Sequence, residues 1–411
     1  SKHDMIFLGL RGQAKTRMLR VLPSLLDEYI PFIRGSEIAD DPFHPISRYA
    51  KDCLKEKQDA TPIDWMHRDN RYHEKLATPD VTIADLIGDI DPIKAAKQHL
   101  DLSDERAIHY GLLPRANRGI FAINELPDLS PKIQVGLFNI MQERDVQIRG
   151  YSVRIPLDLC LVYTANPQDY TNRGRIVTPL KDRIGSEIRT HYPLTRETGM
   201  AITSQEVNLA DRDGREVVVL PFMKQIIEEI ARAARASDDV EQESGVSARL
   251  SISCMENLLG SAERRALINN ESVICPRPCD LPHVLPSISG KLELSYAGEE
   301  KGAARVGKTL IREAVRVVFS EYFDGEVCLP ALAWFETDNQ SLIVTDELPA
   351  DRFLALTKPI PGLLEKVESS FPTIPLAQPE VLASAIEFLL EGLHAQEKLT
   401  KTELNGQQVY G

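Results

Sequence analysis

The spacing of hydrophobic positions changes near residue 194 of the chain. Before that point, short apolar runs at residues 5–8, 120–123 and 159–163 end in polar or glycine-containing segments. Uninterrupted apolar runs of this length are typical of strands that are buried on both faces of a parallel sheet. After residue 194, apolar residues recur at the spacing of amphipathic helices. The pattern therefore predicts an α/β part followed by a mainly helical part.

The first apolar run leads into a glycine-containing loop that ends in Lys-Thr. Gly9, Gly12, Lys15 and Thr16 fit a phosphate-binding loop, with Ala14 where a third glycine is usual. In such a loop, backbone N–H groups surround the phosphates, Lys15 contacts the β- and γ-phosphates, and Thr16 ligates Mg²⁺. An ordinary strand-to-helix turn that contains Lys-Thr is the alternative. The predicted nucleotide-binding residues of this loop are Gly9, Gly12, Gln13, Ala14, Lys15 and Thr16.

The second and third apolar runs also end in candidate site residues. Glu125 is placed to polarise the attacking water as a general base. Asn124 stands where an aspartate normally supports Mg²⁺; asparagine keeps the hydrogen-bonding shape but removes a charge, so we expect metal affinity to fall unless Glu125 and the phosphates compensate. A buried strand with a polar end is the alternative. Asn166, after the third run, can orient the water beside the γ-phosphate. The predicted metal site is Thr16, Asn124 and Glu125.

The order of these segments resembles the AAA+ ATPases of the MoxR and magnesium-chelatase I-subunit group. Residues 9–16, 111–125, 146–155, 164–167 and 180–185 carry the resemblance. It extends over roughly residues 5–290, and the Ala-Lys-Thr end of the loop is more similar to MoxR proteins than to chelatase subunits. Asn124, which follows the second apolar run, departs from the aspartate that is usual in this family.

The resemblance implies roles for two arginines outside the loop. Arg183 would be the arginine finger that reaches the nucleotide of a neighbouring subunit, and its alternative is an exposed arginine paired with Asp182 or Glu187. Arg249 would be the sensor 2 residue at the start of a lid helix, which Ser247 could cap; a surface arginine is its alternative. The resemblance also gives Asn166, which follows the third apolar run, the role called sensor 1. The predicted catalytic residues are Lys15, Glu125, Asn166 and Arg183.

The implied fold class is α/β. We expect an AAA+ P-loop NTPase αβα core with a parallel sheet in residues 1–195, an all-helical lid in 196–295, and a C-terminal, mostly helical extension in 296–411. Within these parts, the periodicity predicts a helix over residues 17–33, a polar region over 35–79 and a hairpin that turns at Gly150. Further expectations are helices at 222–236, 250–262, 350–357, 362–369 and 379–398, strands near 327–335 and 341–344, and a frayed tail from residue 400.

A Gly-x-x-x-x-Gly-Lys-Thr pattern at residues 302–309 matches the phosphate-loop motif more strictly than residues 9–16 do. A charged segment precedes it, so no buried strand delivers the chain to the glycine. The apolar positions around it recur at helical spacing, which places Gly307 within or at the start of a helix. We therefore expect this segment to be helical and not a nucleotide site.

Composition narrows the class of protein. The chain has 411 residues, 43% of them hydrophobic, and a formal net charge of −13, which argues against a broad nucleic-acid interface. No apolar run is long enough for a bilayer, and no signal-peptide pattern is present.

The six cysteines include one close pair, Cys275 and Cys279, whose spacing fits no common zinc site, so we expect reduced thiols in a cytoplasmic protein. The first residue is not methionine, and we expect that an N-terminal segment is missing.

The predicted function is that of an ATP-binding and ATP-hydrolysing ring ATPase. The resemblance implies ATP and Mg²⁺ as cofactors, assembly into a ring, most simply a hexamer, and remodelling of a partner protein that carries a von Willebrand A domain. A magnesium-chelatase motor subunit and a weakly hydrolysing nucleotide-dependent scaffold are the alternatives. Enhancer-binding transcription activators share the AAA+ core, but their Gly-Ala-Phe-Thr-Gly-Ala loop is not in this chain.

Overall fold

The computed structural model describes residues 3–101, 104–148, 154–167, 175–208, 214–323, 329–337, 340–404 and 407–411. The chain divides into two compact units, Ser1–His191 and Tyr192–Gly411. The change in hydrophobic spacing near residue 194 lies close to this boundary. Among the described residues, no helix combines the length and the apolar character needed to cross a membrane.

The first unit is built on a five-stranded parallel sheet, as predicted for an α/β protein. Its strands are β1 (Met5–Leu8), β2 (Tyr72–Leu76), β3 (Gly119–Asn124), β4 (Leu159–Ala165) and β5 (Ser186–Arg189). They lie in the sheet in the order β5-β1-β4-β3-β2. The three apolar runs of the sequence form the inner strands β1, β4 and β3, whose residues are largely buried because neighbouring strands cover both edges and helices cover the faces.

The two edge strands have no apolar run. Strand β2 reads Tyr-His-Glu-Lys-Leu and lies inside the stretch that the sequence indicated only as polar. Within the part of the chain that the structure describes, it pairs with β3 alone and is therefore an edge strand. Edge strands tolerate, and often require, polar and charged residues. Hydrophobic patterning therefore could not identify this strand.

The predicted helix over residues 17–33 is correct only at its start. The helix is Lys15–Val21; a 3₁₀ turn with Pro23 at its beginning follows, and Tyr29–Ile33 is a strand that pairs antiparallel with Ile63–His67. Proline cannot supply the N–H that continues a helix, and the pairing with a distant segment then decides the outcome. The predicted hairpin is confirmed by its two strands, and its turn at Gly150 lies outside the described residues.

Smaller elements complete the first unit. Its further helices are Arg48–Lys57, Ile83–Ile87, Pro92–Gln98, Leu112–Arg115, Pro131–Gly136, Phe138–Glu143 and Thr178–Arg183, and its further strands are Gly88–Ile90, Ile108–Tyr110, Asp145–Gln147 and Arg154–Pro156.

The second unit is mainly helical and has one large hydrophobic core that extends from Val207 to Tyr410. The division of this unit into a lid and an extension stays a prediction. Its helices are Arg196–Glu206, Pro221–Ala236, Arg249–Asn269, Leu285–Lys291, Tyr296–Lys301, Ala303–Tyr322, Leu329–Phe335, Ala350–Thr357, Leu363–Ser370 and Pro379–Ala395. Two short strands, Glu216–Val217 and Val273–Ile274, pair in parallel, and Leu342–Val344, Gln407–Tyr410 and Lys401–Leu404 form an antiparallel sheet.

Three expectations for the second unit can be compared with this structure. The segment with the second Lys-Thr is helical, as predicted: Gly302 precedes the helix Ala303–Tyr322, and Gly307 lies inside it against Leu285. The strand expected near residues 327–335 is wrong, because Leu329–Phe335 is a helix. The frayed tail is also wrong, because its two strands pair with each other and Tyr410 is completely buried.

Two helical glycines of the second unit give a stability prediction. A methyl group on Gly392 would lie 1.8 Å from the ring of Phe319, whereas a methyl group on Gly260 would have no neighbour within 4 Å. Glycine costs a helix about 0.5–1 kcal/mol relative to alanine. We expect Gly260→Ala to raise the free energy of unfolding by about that amount, and Gly392→Ala to lower it by about 1–3 kcal/mol through overpacking. Equal effects of the two changes in denaturant titrations would contradict this packing.

Candidate functional site

The predicted loop, Asn124, Glu125 and Asn166 lie at one edge of the sheet, where the inner strands β1, β4 and β3 end. The backbone N–H of Gly9 donates to the carbonyl of Ala165, 3.2 Å away. The hydroxyl of Thr164 donates to Oδ1 of Asn124, at 3.2 Å. Asn166 follows Ala165 and is buried. In open α/β sheets, ligands bind beyond the carboxyl ends of the strands, so this edge is the candidate site.

The loop between β1 and the next helix contains two left-handed residues. Gly12 has φ 71° and Ala14 has φ 58°. A left-handed alanine costs roughly 1–2 kcal/mol, which explains why glycine is usual at this position. Left-handed residues next to right-handed ones turn successive backbone N–H groups toward a common point and form an anion-binding concavity. The loop conformation thus fits the predicted phosphate site.

Lys15 and Gly9 are held closely in this loop. The Lys15 side chain is buried, and its Nζ donates to the carbonyls of Gly9 at 2.5 Å and Leu10 at 3.0 Å. A methyl group on Gly9 would lie 1.9 Å from Oγ1 of Thr190. The same hydroxyl donates to Oε1 of Gln13 at 2.7 Å. Close approach of Thr190 therefore requires glycine at the first loop position.

Asn124 and Glu125 end strand β3 in a hydrogen-bonded network. Asn124 is buried, and its Nδ2 donates to Oε1 of Glu74 at 2.7 Å. The backbone N–H of Glu125 donates to Oγ1 of Thr164 at 3.0 Å. Glu125 itself has φ 56°, a conformation that non-glycine residues adopt rarely and that is common at functional sites. Thr164, on strand β4, thus forms hydrogen bonds with both Asn124 and Glu125.

Glu74 is the residue of this network that sequence reasoning missed. It lies on the edge strand β2, where Arg20 donates to both of its carboxylate oxygens, at 2.9 and 3.0 Å, and the hydroxyl of Tyr72 donates at 3.1 Å. The Arg20 hydrogen bond is the main cause that lowers the pKa of Glu74, with further contributions from Tyr72 and Asn124. No motif spacing indicated this carboxylate, because its strand was not recognised.

The residues at this edge fit a nucleotide with Mg²⁺. The loop concavity and the Lys15 ammonium are suited to phosphate oxygens. The hydroxyl of Thr16 and the side-chain oxygens of Asn124 and Glu125 are the hard oxygen donors that Mg²⁺ prefers. Among the described residues, no group of three or more His, Cys, Asp or Glu side chains could hold a metal ion by itself. A site of this kind therefore depends on phosphate oxygens and water for its remaining ligands. The residue roles stay predictions.

Arg183 has a fixed orientation at the end of its helix. Its guanidinium donates to Oε1 of Gln142, at 3.0 and 3.3 Å, and to the carbonyl of Pro179 at 2.7 Å, and it lies 4.8 Å from the centre of the Phe138 ring. Glu187, one of its alternative partners, instead accepts from Arg189. The guanidinium is thus held at the surface of the first unit by a neutral amide and an aromatic ring.

Arg249 belongs to the second unit. It is exposed and is the first residue of the helix Arg249–Asn269, and its backbone N–H donates to Oγ of Ser247 at 3.1 Å. The helix start that the sequence predicted here is confirmed, but Ser247 is not its cap, because the N-cap residue is Ala248 and no side chain caps the helix. The sensor 2 role stays a prediction.

Comparison with known proteins shows which families this chain resembles in sequence. The sigma-54 interaction domain family matches residues 103–185, which include β3, β4 and Arg183. The magnesium-chelatase 38 kDa subunit of Cereibacter sphaeroides is 29% identical over 219 residues, which are 51% of this chain and 58% of that protein. The magnesium-chelatase subunit ChlI of Anabaena variabilis is 26% identical over 196 residues, 46% of this chain and 52% of that protein. The chain thus spans about half the length of these relatives.

Two solved structures align with much of this chain at low TM-scores. A chain of the complex between magnesium-chelatase subunits BchI and BchD aligns with 73% of this chain and 91% of its own length, at 20% identity and a TM-score of 0.37. A putative ATPase from Cytophaga hutchinsonii aligns with 76% of this chain and 84% of its own length, at 18% identity and a TM-score of 0.30. Together, the parallel sheet and the sequence relatives support an AAA+ ATPase of the magnesium-chelatase-like group.

Proposed function

We propose that this chain binds ATP with Mg²⁺ at residues 9–16, hydrolyses it within a ring of subunits, and uses the turnover to remodel or activate a partner protein. The observation that carries the proposal is the convergence of the loop, Asn124, Glu125 and Asn166 at the ends of three adjacent parallel strands. These are the residue types that bind phosphate, support a metal ion and position water.

Each of these residues has a defined task in the proposed reaction. Lys15 neutralises charge on the β- and γ-phosphates, and Thr16 and Asn124 hold the metal, directly or through water. The carboxylate of Glu125 accepts a hydrogen bond from the attacking water and makes the water oxygen more nucleophilic. Asn166 orients that water. A bound Mg²⁺ would neutralise negative charge on the phosphates. The reaction then depends on positioning and electrostatics more than on covalent chemistry by the protein.

Arg183 is the reason to propose a ring. Its guanidinium is oriented by Gln142 and Phe138 at the surface of the first unit. In the proposed assembly, it contacts the γ-phosphate bound by the neighbouring subunit and stabilises the charge that develops there. Such a residue makes hydrolysis depend on assembly. We propose a hexamer, and a partner with a von Willebrand A domain, by analogy with the MoxR group.

A mixing experiment tests the shared site. Arg183→Ala and Glu125→Gln should each lower ATP turnover by about a hundredfold or more. In an equimolar mixture, some sites combine Glu125 from one subunit with Arg183 from its neighbour, so turnover should exceed that of either variant alone. Steady-state phosphate release across mixing ratios measures this recovery.

The matched control is Arg189→Ala, because Arg189 is an exposed arginine that pairs with Glu187 in the same unit. It should retain turnover close to that of the unchanged protein. No recovery in the mixture, with both variants still binding ATP and assembling, would contradict a site shared between subunits.

A magnesium-chelatase motor is the second candidate, and the sequence relatives favour it because two of them are magnesium-chelatase subunits. In this case ATP turnover would drive Mg²⁺ into a tetrapyrrole held by a large partner subunit. The test is ATP-dependent metal insertion, followed by porphyrin fluorescence, with the large subunits of a known chelatase supplied. Insertion above the level without this chain would favour the motor, and stimulation of turnover by a von Willebrand A-domain protein alone would favour the remodeller.

A further inference from the structure

The contact between Glu74 and Asn124 joins a predicted site residue to a residue that the sequence did not indicate. Nδ2 of Asn124 lies 2.7 Å from Oε1 of Glu74. A carboxylate can only accept a hydrogen bond, so the amide nitrogen must face Glu74 and the amide oxygen must face Thr164, which donates its hydroxyl at 3.2 Å. Glu74 therefore fixes which way the Asn124 amide points.

The hydrogen bonds to Glu74 define how it can act. Oε1 accepts from Asn124 and Arg20, and Oε2 accepts from Arg20 and Tyr72. A carboxylate has about four acceptor positions, and all four are used. Glu74 is thus suited to position Asn124 and to supply negative charge through it, and not to contact a metal ion directly.

Arg20 connects this pair to the phosphate loop. It lies four residues after Thr16 in the helix Lys15–Val21, so both residues belong to the same helix face. Arg20 spans from that face to Glu74. Thr16 therefore lies one helical turn nearer to the loop than this ion pair.

An aspartate at position 124 would change this contact from attraction to repulsion. Two carboxylates at this distance cannot both ionise without a large cost, and one of them takes up a proton instead. The asparagine that departs from the family's usual aspartate is therefore matched to the glutamate on the adjacent strand.

We infer that Glu74 and Asn124 are a charge-matched pair, in which Glu74 supplies the acidic charge of the metal side of the site and positions the Asn124 amide. The role toward Mg²⁺ rests on the proposed function; the pairing itself does not. Glu74 is a positioning residue, and Asn124 is not a sign of lost hydrolysis.

A double-mutant cycle tests the pairing without nucleotide. The chain has two tryptophans, Trp65 in the first unit and Trp334 in the second, so a Trp334→Phe background lets fluorescence follow the first unit alone. Asn124→Asp should raise the unfolding equilibrium constant about tenfold or more in the presence of Glu74, because of the carboxylate repulsion. In the Glu74→Gln background, the same change should cost less than about threefold, since the amide introduced at position 74 can donate to the new carboxylate. Equal costs in both backgrounds would overturn the pairing.

The proposed role of Glu74 in the site is tested by measuring how much Mg²⁺ raises the affinity of the protein for ATP; this increase is the gain. Glu74→Gln should lower this gain about tenfold, and Glu74→Gln with Asn124→Asp should recover most of it, because the charge then lies at position 124. Glu187→Gln is the matched control, a glutamate on the other edge strand that also pairs with an arginine, and it should leave the gain unchanged.

These measurements separate the two hypotheses. Loss of the gain in Glu74→Gln without recovery in the double variant would overturn the metal-side role of Glu74. Absence of ATP binding in every variant, the unchanged protein included, would overturn the proposed function, while the unfolding cycle would still decide whether the two side chains are matched.

Discussion

Lys15→Ala should reduce ATP turnover by at least about a hundredfold, because the change removes the cation that neutralises phosphate charge as it develops. Lys15 is buried in its loop and lies against the loop carbonyls of Gly9 and Leu10. ATP affinity should fall as well, since the same ammonium contacts the bound phosphates. Steady-state turnover and calorimetric titration with ATP in the presence of Mg²⁺ measure the two effects.

The matched control for this prediction is Lys308→Ala. Lys308 also precedes a threonine, in Gly-Lys-Thr where Lys15 stands in Ala-Lys-Thr, but it lies on an exposed face of the helix Ala303–Tyr322. Turnover should stay within about twofold, as for other surface changes away from the site. Loss of turnover in Lys308→Ala with retention in Lys15→Ala would show that the nucleotide site has been placed in the wrong unit.

Glu387→Ala should lower the free energy of unfolding of the second unit by about 3–5 kcal/mol, because it leaves a buried arginine without its counter-charge. Arg277 and Glu387 have side-chain exposures of 1% and 0%, and their Nε and Oε2 atoms are 2.7 Å apart. Oε1 of Glu387 also accepts from the backbone N–H of Cys279 at 2.6 Å. The guanidinium lies 4.4 Å from the centre of the Phe353 ring, so an aromatic face and not water covers it on that side.

Fluorescence of Trp334 in a Trp65→Phe background follows this unit during denaturant titration. Glu397→Ala is the control, since Glu397 also pairs with an arginine, Arg312, but is 75% exposed. Exposed pairs contribute about 0–1 kcal/mol, so this change should have little effect. Comparable losses in the two variants would mean that burial does not determine the strength of the Arg277 pair.

Glu387→Gln separates charge from hydrogen bonding. Glutamine keeps an acceptor for the backbone N–H of Cys279 but removes the counter-charge of Arg277. We expect a loss smaller than that of the alanine variant but still well above that of the exposed control. A glutamine variant as stable as the unchanged protein would show that the charge itself contributes nothing.

The sequence alone determined the inner part of the fold and most of the candidate site. The runs that became β1, β3 and β4 were recognisable because a strand buried on both faces needs consecutive apolar residues. Lys15 lies at the end of the loop after β1, Asn124 is the last residue of β3 and Asn166 follows β4, so finding these strands also located the three residues. The helical nature of the segment around Gly307 followed from local periodicity in the same way.

Only the tertiary structure decided the elements that depend on distant partners. Strand β2 is polar because it lies at a sheet edge, and its Glu74 meets Asn124 across 50 positions of sequence. Tyr410 is buried although its segment is polar, because the two last strands pair with each other and its hydroxyl donates to Glu391 at 2.6 Å. Local periodicity reports how a segment buries its own side chains. It carries no information about which distant segment supplies a hydrogen bond or a charge, and in this protein those long-range contacts decide the environment of Asn124.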